Sequence, residues 1–262
     1  MTALETAPAR TRAHRMRSLR GAVKLKSGHS LYWWAEVGCV LIFYTVYSAI
    51  RNSVDADQSS ATAHALQVIR FEKAIGIFRE QAFNHWATGV HAFIVACNYY
   101  YGSLHFLVTL GVGIFLFKRK PDVYARWRNT IAIATALALI GFWTYQLLPP
   151  RLLNGYGFID TLARYGTPWN WNSKAVSKLS NQFAAMPSVH CAWALWCGCA
   201  LVPQVKRWWA KMIVLSYPTM TVAVVVFTAN HYFVDAVAGF ATVGIGYIAA
   251  RRFTRAGVVA AS

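Results

Sequence analysis

The sequence predicts an all-α protein: a bundle of six transmembrane helices, with interfacial amphipathic helices between the first and second spans. Three observations predict it. Of 262 residues, 56% are hydrophobic and only 13% are charged, about half the charged share of an ordinary soluble domain. Six stretches approach the ~20 mostly apolar residues that a helix needs to cross a bilayer. The 26 Lys and Arg, against 9 Asp and Glu, gather in short clusters between those stretches, which is how a polytopic membrane protein distributes charge. A net charge of +17 spread over one continuous face would suggest a groove for phosphodiester backbone. Clusters between apolar runs imply a membrane partner and no nucleic acid.

The elements follow in order. Residues 1–30 hold seven basic residues and read as a cytoplasmic tail in contact with anionic lipid. The apolar run at 31–50 is too long for the h-region of a cleaved signal, so it is the first span. Residues 52–97 are mixed. Within them 61–76 is an amphipathic helix and 86–97 is apolar but short, which predicts helices lying along or dipping into the interface. Further spans are expected at 98–117, 129–148, 187–204, 211–229 and 231–250, with Pro218 kinking the fifth. Residues 251–262 form a second basic tail. Placing the N-terminus inside leaves 18 basic residues on the cytoplasmic side and 8 outside, so the positive-inside rule makes both termini cytoplasmic. Cys39, Cys97, Cys191, Cys197 and Cys199 all fall in apolar stretches without the spaced His partners of a zinc site, and read as small buried hydrophobes. The eleven Trp and thirteen Tyr mostly mark the interface.

Ionisable groups inside a bilayer are functional candidates by default. Of the nine acids, only Glu36 and Asp235 lie in the spans. Asp235 follows His231 by one helical turn, so the two share a face; the carboxylate can hold the imidazole's tautomer, or the pair can be a structural tether. Met186-Pro187-Ser188-Val189-His190 opens the fourth span, with Pro187 suited to a first helical turn. A helix start favours anions through its free N–H groups and its dipole. Pro149-Pro150-Arg151 ends the third span. All three clusters then lie at the outer face. Two histidines, one backed by a carboxylate, with an arginine and a helix N-terminus, are the parts of phosphoryl transfer through a phosphohistidine: one imidazole attacks phosphorus, the other protonates the departing oxygen. That scheme needs no cofactor and no metal. A zinc site of His190, His231 and Asp235 competes with it, without an HExxH helix or a Cys ligand set. A non-catalytic lipid-binding or transport protein would spread its charges along a path through the helices, whereas here they gather at one end.

Met-Pro-Ser-Val-His at 186–190 and His-Tyr-Phe-Val-Asp at 231–235 resemble the second and third signature motifs of the type-2 phosphatidic acid phosphatase superfamily. Pro149-Pro150-Arg151, the Ala-Trp-Ala-Leu-Trp after His190 and the Ala-Asn-His-Tyr before Asp235 are similar to its branch containing inositol phosphorylceramide synthases, an inositolphosphotransferase group. The resemblance covers roughly 98–250. It implies that His231 is the nucleophile, Asp235 its orienting partner, His190 the general acid and Ser188 a phosphate ligand, with Asn230 beside them. Two departures stand out. The third motif usually carries Arg six residues before its His, where this chain has Val225. The first motif's basic spacing is met by Arg119 and Arg126, but without its Pro and on the cytoplasmic side, so Arg151 is the expected phosphate ligand, helped by Lys174 or Lys178. Tyr101 and His105, another i, i+4 pair, line the pocket or form a satisfied core. Glu72 and Glu80 bind a polyol or sugar hydroxyl, or form a solvated face. His85 and His91 are interfacial.

The expected protein is thus one membrane-embedded catalytic domain over 31–250, in a bacterial plasma membrane, acting on a phosphorylated lipid at the extracytoplasmic face. Its acceptor is water, or an alcohol such as inositol, a sugar or another lipid.

Overall fold

The computed structural model describes residues 22–24, 30–53, 57–165 and 183–259; the N-terminal tail to residue 21, and Lys174 and Lys178, lie outside them. A short antiparallel hairpin, β1 (Ala22–Lys24) and β2 (Ser30–Tyr32), leads into α1 (Trp33–Ser53). Then come α2 (Gln58–Ala74), α3 (Glu80–Thr88) and α4 (His91–Tyr99). Through a π-helical turn (Tyr100–Leu104), α4 runs on into α5 (His105–Arg119). The rest is α6 (Pro121–Thr144), a 3-10 turn (Pro150–Leu152), α7 (Thr161–Arg164), α8 (Val189–Leu201), a second 3-10 turn (Val202–Gln204), α9 (Trp208–Phe227) and α10 (Phe233–Val259).

Among the described residues four helical segments are long and apolar enough to cross a membrane: Trp33–Arg51, His91–Arg119, Trp208–Phe227 and Phe233–Arg252. Apart from the β1–β2 hairpin, the regular structure of the described residues is helical, and the apolar segments are those of a membrane protein. The expected second span starts earlier than residue 98, because the apolar stretch before it joins as one continuous helix of 29 residues from His91. The expected third and fourth spans correspond to α6 and α8. The former carries Asp122, Arg126 and Arg128 in its first turns; the latter has 13 residues, about 20 Å at 1.5 Å per residue.

α8 runs through the middle, touching α5, α6, α9 and α10. Its buried positions include Cys191, Ala192, Ala194, Cys197 and Ala200, small residues that let neighbouring backbones approach closely. Trp196 fills the remaining space, its indole N–H donating to the Trp127 carbonyl at 2.8 Å. Cys97, Cys191 and Cys197 are buried as expected, but Cys39 is exposed on the outer side of α1, where a lipid-facing surface carries apolar residues as freely as the core. Trp33, Trp34, Trp208, Trp209 and Trp143 are exposed at helix ends, the positions of an interfacial belt.

Helix direction decides where chemistry can gather. The last residues of α1, α6 and α9 and the first of α5, α8 and α10 meet at one end of the bundle, whereas Arg119, Lys120, Arg126, Arg128, Lys206, Arg207 and Arg251 belong to the other. Close backbone approaches hold the first end together. A Cβ at Gly239 on α10 would collide with the Ser188 carbonyl, and one at Gly141 on α6 with the Pro187 ring. Gly239→Ala should therefore lower the melting temperature in detergent by several degrees, since overpacking against backbone costs about 1–3 kcal/mol. Gly244→Ala on the same helix meets open space and should be neutral or stabilising, by up to about 1 kcal/mol of helix propensity.

Candidate active site

The turn between α9 and α10 builds one side of the site. At the end of α9 the Ala229 N–H bonds the Val226 carbonyl and the Asn230 N–H bonds the Val225 carbonyl, each at 2.9 Å. This is a Schellman-type cap, and it puts Ala229 in the left-handed region at φ 52°, where glycine is the usual occupant. The chain reverses there and delivers Asn230 and His231 just ahead of α10. The Asp235 carboxylate Oδ2 accepts the Tyr232 N–H at 3.0 Å and the His231 ring at Nδ1 at 3.3 Å. A carboxylate only accepts, so the shared proton sits on Nδ1 and Nε2 is left as the basic nitrogen.

The 186–190 segment docks directly on that turn. The Ser188 N–H donates to the backbone carbonyl of Asp235 at 3.0 Å, and Gly239 leaves room for the contact. The Ser188 hydroxyl accepts the Cys191 N–H at 3.4 Å as the N-cap of α8, and its side chain is buried. Ser188 is therefore the N-cap of α8, with its own O–H still a donor. At this helix start Val189 and His190 face the cavity.

That cavity, about 160 Å3 in volume, brings together His190, His231, Arg151, Asn230, Tyr101 and His105. The His190 and His231 rings are 5.7 Å apart between centroids. Tyr101 stacks on His190 at 4.3 Å, and His105 lies 4.1 Å from it. His105 Nδ1–H donates to the Tyr101 carbonyl at 3.1 Å, so the i, i+4 pair supports His190 from below. Asp235 sits behind His231, fully buried. Among the described residues no group of three or more His, Cys, Asp and Glu side chains is arranged to hold a metal ion.

Arg151 is held on three sides. Its backbone N–H donates to the Ala229 carbonyl at 2.8 Å, its Nε–H to Asn230 Oδ1 at 3.1 Å, and a terminal N–H to Asp160 Oδ2 at 2.9 Å. Asp160 also caps α7, accepting the Ala163 N–H at 3.1 Å. Nothing in the sequence singles Asp160 out, because a lone acid in a loop carries no periodic signal. Arg126 lies against Tyr247, 5.9 Å from its ring centroid, away from the cavity. Val225 is buried with Cys191, Val226 and Ala236 and does not face the cavity, so an arginine there would meet apolar core.

Residues 66–249 match the PAP2 superfamily. The chain belongs to the PAP2 superfamily. A crystal structure of Aquifex aeolicus LpxE is similar to it at 16% sequence identity and a TM-score of 0.47, over 65% of this chain and 93% of that one. No curated protein matches the chain.

The PAP2 region includes two acids that neither sequence expectation describes correctly. Glu72 and Glu80 are fully buried, neither solvated nor open to a sugar. Glu80 Oε1 accepts the Phe233 N–H at 3.1 Å and Glu72 Oε1 accepts the Val234 N–H at 2.9 Å; they cap α10 from α3 and α2. The signal was present in an amphipathic pattern that turns its Glu inward with Ala65, Val68 and Ile69. Burial, reinforced by the adjacent Glu80, pushes the Glu72 carboxyl up to about 9. Between about 4.5, its ordinary value, and 9 the folded protein holds a proton that the unfolded chain has released, so stability should fall as pH rises through that window. Glu72→Gln, which keeps the acceptor and cannot ionise, should flatten the dependence of melting temperature on pH. Glu72→Ala should cost about 1–3 kcal/mol at low pH by leaving the Val234 N–H unsatisfied, and that cost should shrink as pH rises, because the variant also lacks the ionising group.

Proposed function

We propose that this PAP2 protein is an integral membrane lipid-phosphate phosphatase or phosphotransferase that works through a phosphohistidine at the extracytoplasmic face. The observation that carries the reading is one cavity in which His231, backed by Asp235, faces His190, beside an Arg151 locked in place by Asn230 and Asp160. His231 Nε2 attacks phosphorus, and the bond from phosphorus to the lipid oxygen breaks as His190 gives that oxygen a proton. In the second half an acceptor hydroxyl gives its proton to His190 and attacks phosphorus, and the phosphorus–nitrogen bond breaks. Arg151 and the N-terminal amides of α8 balance charge on the equatorial oxygens. Asp235 positions the imidazole and offsets the cation that forms on it. Lys174 and Lys178 are further candidates for phosphate contact.

The acceptor separates two activities. Water gives a lipid phosphatase; inositol or a sugar takes the phosphoryl group as a phospho-alcohol, and a lipid acceptor takes phosphoinositol or a similar headgroup from a donor lipid that carries it, a phosphotransferase reading that the branch-like Pro149-Pro150-Arg151 supports. Purified protein given labelled lipid phosphates, with and without inositol, should release orthophosphate in the first case or form a labelled phospho-alcohol in the second. His231→Ala should lose all turnover while remaining folded in detergent. Vanadate should inhibit and EDTA should not; activity lost in EDTA and restored by zinc would favour the alternative ligand set of His190, His231 and Asp235.

The topological part of the proposal counts α6 and α8 as third and fourth spans, giving six, with both basic tails cytoplasmic and 31–250 forming one catalytic domain in a bacterial plasma membrane. In a chain whose native cysteines are replaced, a cysteine at Asn154 should react with an impermeant thiol reagent from outside the cell, and one at Asp122 should not. The opposite pattern would put the cavity on the cytoplasmic side.

A further inference from the structure

We propose that Arg51, at the end of α1, is a second phosphate-binding residue of the cavity; the inference rests on the phosphoryl-transfer reading above. α1 lies outside the part of the chain that matches the superfamily, residues 66–249, yet Tyr44, Tyr47 and Arg51 line the cavity together with His190, His231 and Arg151. The spacing i, i+3, i+7 puts the three on one helical face. The Arg51 guanidinium carbon lies 5.9 Å from the Tyr47 ring centroid, an aromatic contact that keeps the head group on the cavity side of its helix.

Charge balance gives Arg51 its role. A phosphate monoester carries roughly −1.5 to −2 at neutral pH, and little water is available to screen it in a cavity of about 160 Å3. Arg151 pairs with Asp160 at 2.9 Å, which fixes its geometry in the lining. Among the described residues lining the cavity, Arg51 and Arg151 supply the Arg and Lys side chains, and no carboxylate lines it. A dianion between His190 and His231 therefore meets two guanidinium side chains in the cavity lining, Arg151 and Arg51. α1 has an anchor elsewhere: Glu36 pairs with Arg128 at 2.6 Å and accepts the Tyr124 hydroxyl at 3.0 Å. These contacts lie 15 residues from Arg51, about 22 Å along the helix, so replacing Arg51 leaves them in place.

The test uses the purified full chain as wild type, Arg51→Ala, Arg51→Lys and Glu36→Gln, the last loosening α1 far from the cavity. Orthovanadate is the probe, read as inhibition of lipid-phosphate turnover and as the rise in melting temperature on binding. Losing one charge-assisted contact should weaken vanadate binding and lower kcat/KM by about 10- to 100-fold in Arg51→Ala. Arg51→Lys should recover part of this, and added methylguanidinium should restore part of the Ala variant's turnover. Unchanged vanadate affinity in Arg51→Ala overturns the inference. So does a loss shared equally by Glu36→Gln and not relieved by methylguanidinium, since that describes docking of α1. If no phosphorylated lipid is turned over, the functional reading fails, while vanadate stabilisation still reports on Arg51 independently.

Discussion

Asp235 is where both halves of the site are tied. Its carboxylate takes the His231 ring and the Tyr232 N–H, and its backbone carbonyl takes the Ser188 N–H. One residue thus sets the tautomer of one histidine and the position of the helix that carries the other. A buried acid at a membrane depth persists only if its partners are well arranged. Much of the bundle serves that arrangement: the glycine that admits Ser188, the left-handed turn at Ala229, and the small residues along α8.

The same helix start carries a second constraint. Tyr232, Phe233 and Val234 present three successive N–H groups, and three different carboxyls take them: Asp235, Glu80 and Glu72. Acids complement the positive end of a helix dipole, but three of them in one buried place repel one another. Retention of a proton by Glu72 relieves that repulsion without giving up a cap. It also gives α2 and α3 a structural purpose beyond covering the interface, since they brace from outside the helix on which the proposed nucleophile depends.

Much of this was legible in the sequence because it obeys periodicity. The apolar runs gave the helices, and the i, i+4 pairs His231 with Asp235 and Tyr101 with His105 were visible as helix faces. The convergence of 149–151, 186–190 and 231–235 followed from alternating helix direction. What escaped was set by tertiary contact. The Ser188 hydroxyl also caps α8, a contact that its place in the motif does not announce. Glu72 and Glu80 read as surface until α2 and α3 fold against α10. Arg51 reads as the end of a span, and only the docking of α1 on α6 brings it to the cavity. α8 is shorter than the expected fourth span, because Val202–Gln204 tightens into a 3-10 turn.

The central claim is a covalent bond between phosphorus and His231 Nε2. Rapid quenching of the purified protein with phosphorus-labelled lipid phosphate, followed by peptide mapping under alkaline conditions, tests it directly. Label is expected on the peptide containing His231, stable to base and lost in acid as a phosphoramidate is, and absent from His231→Ala. Label on any other residue, or turnover with no labelled protein at any quench time, would contradict it.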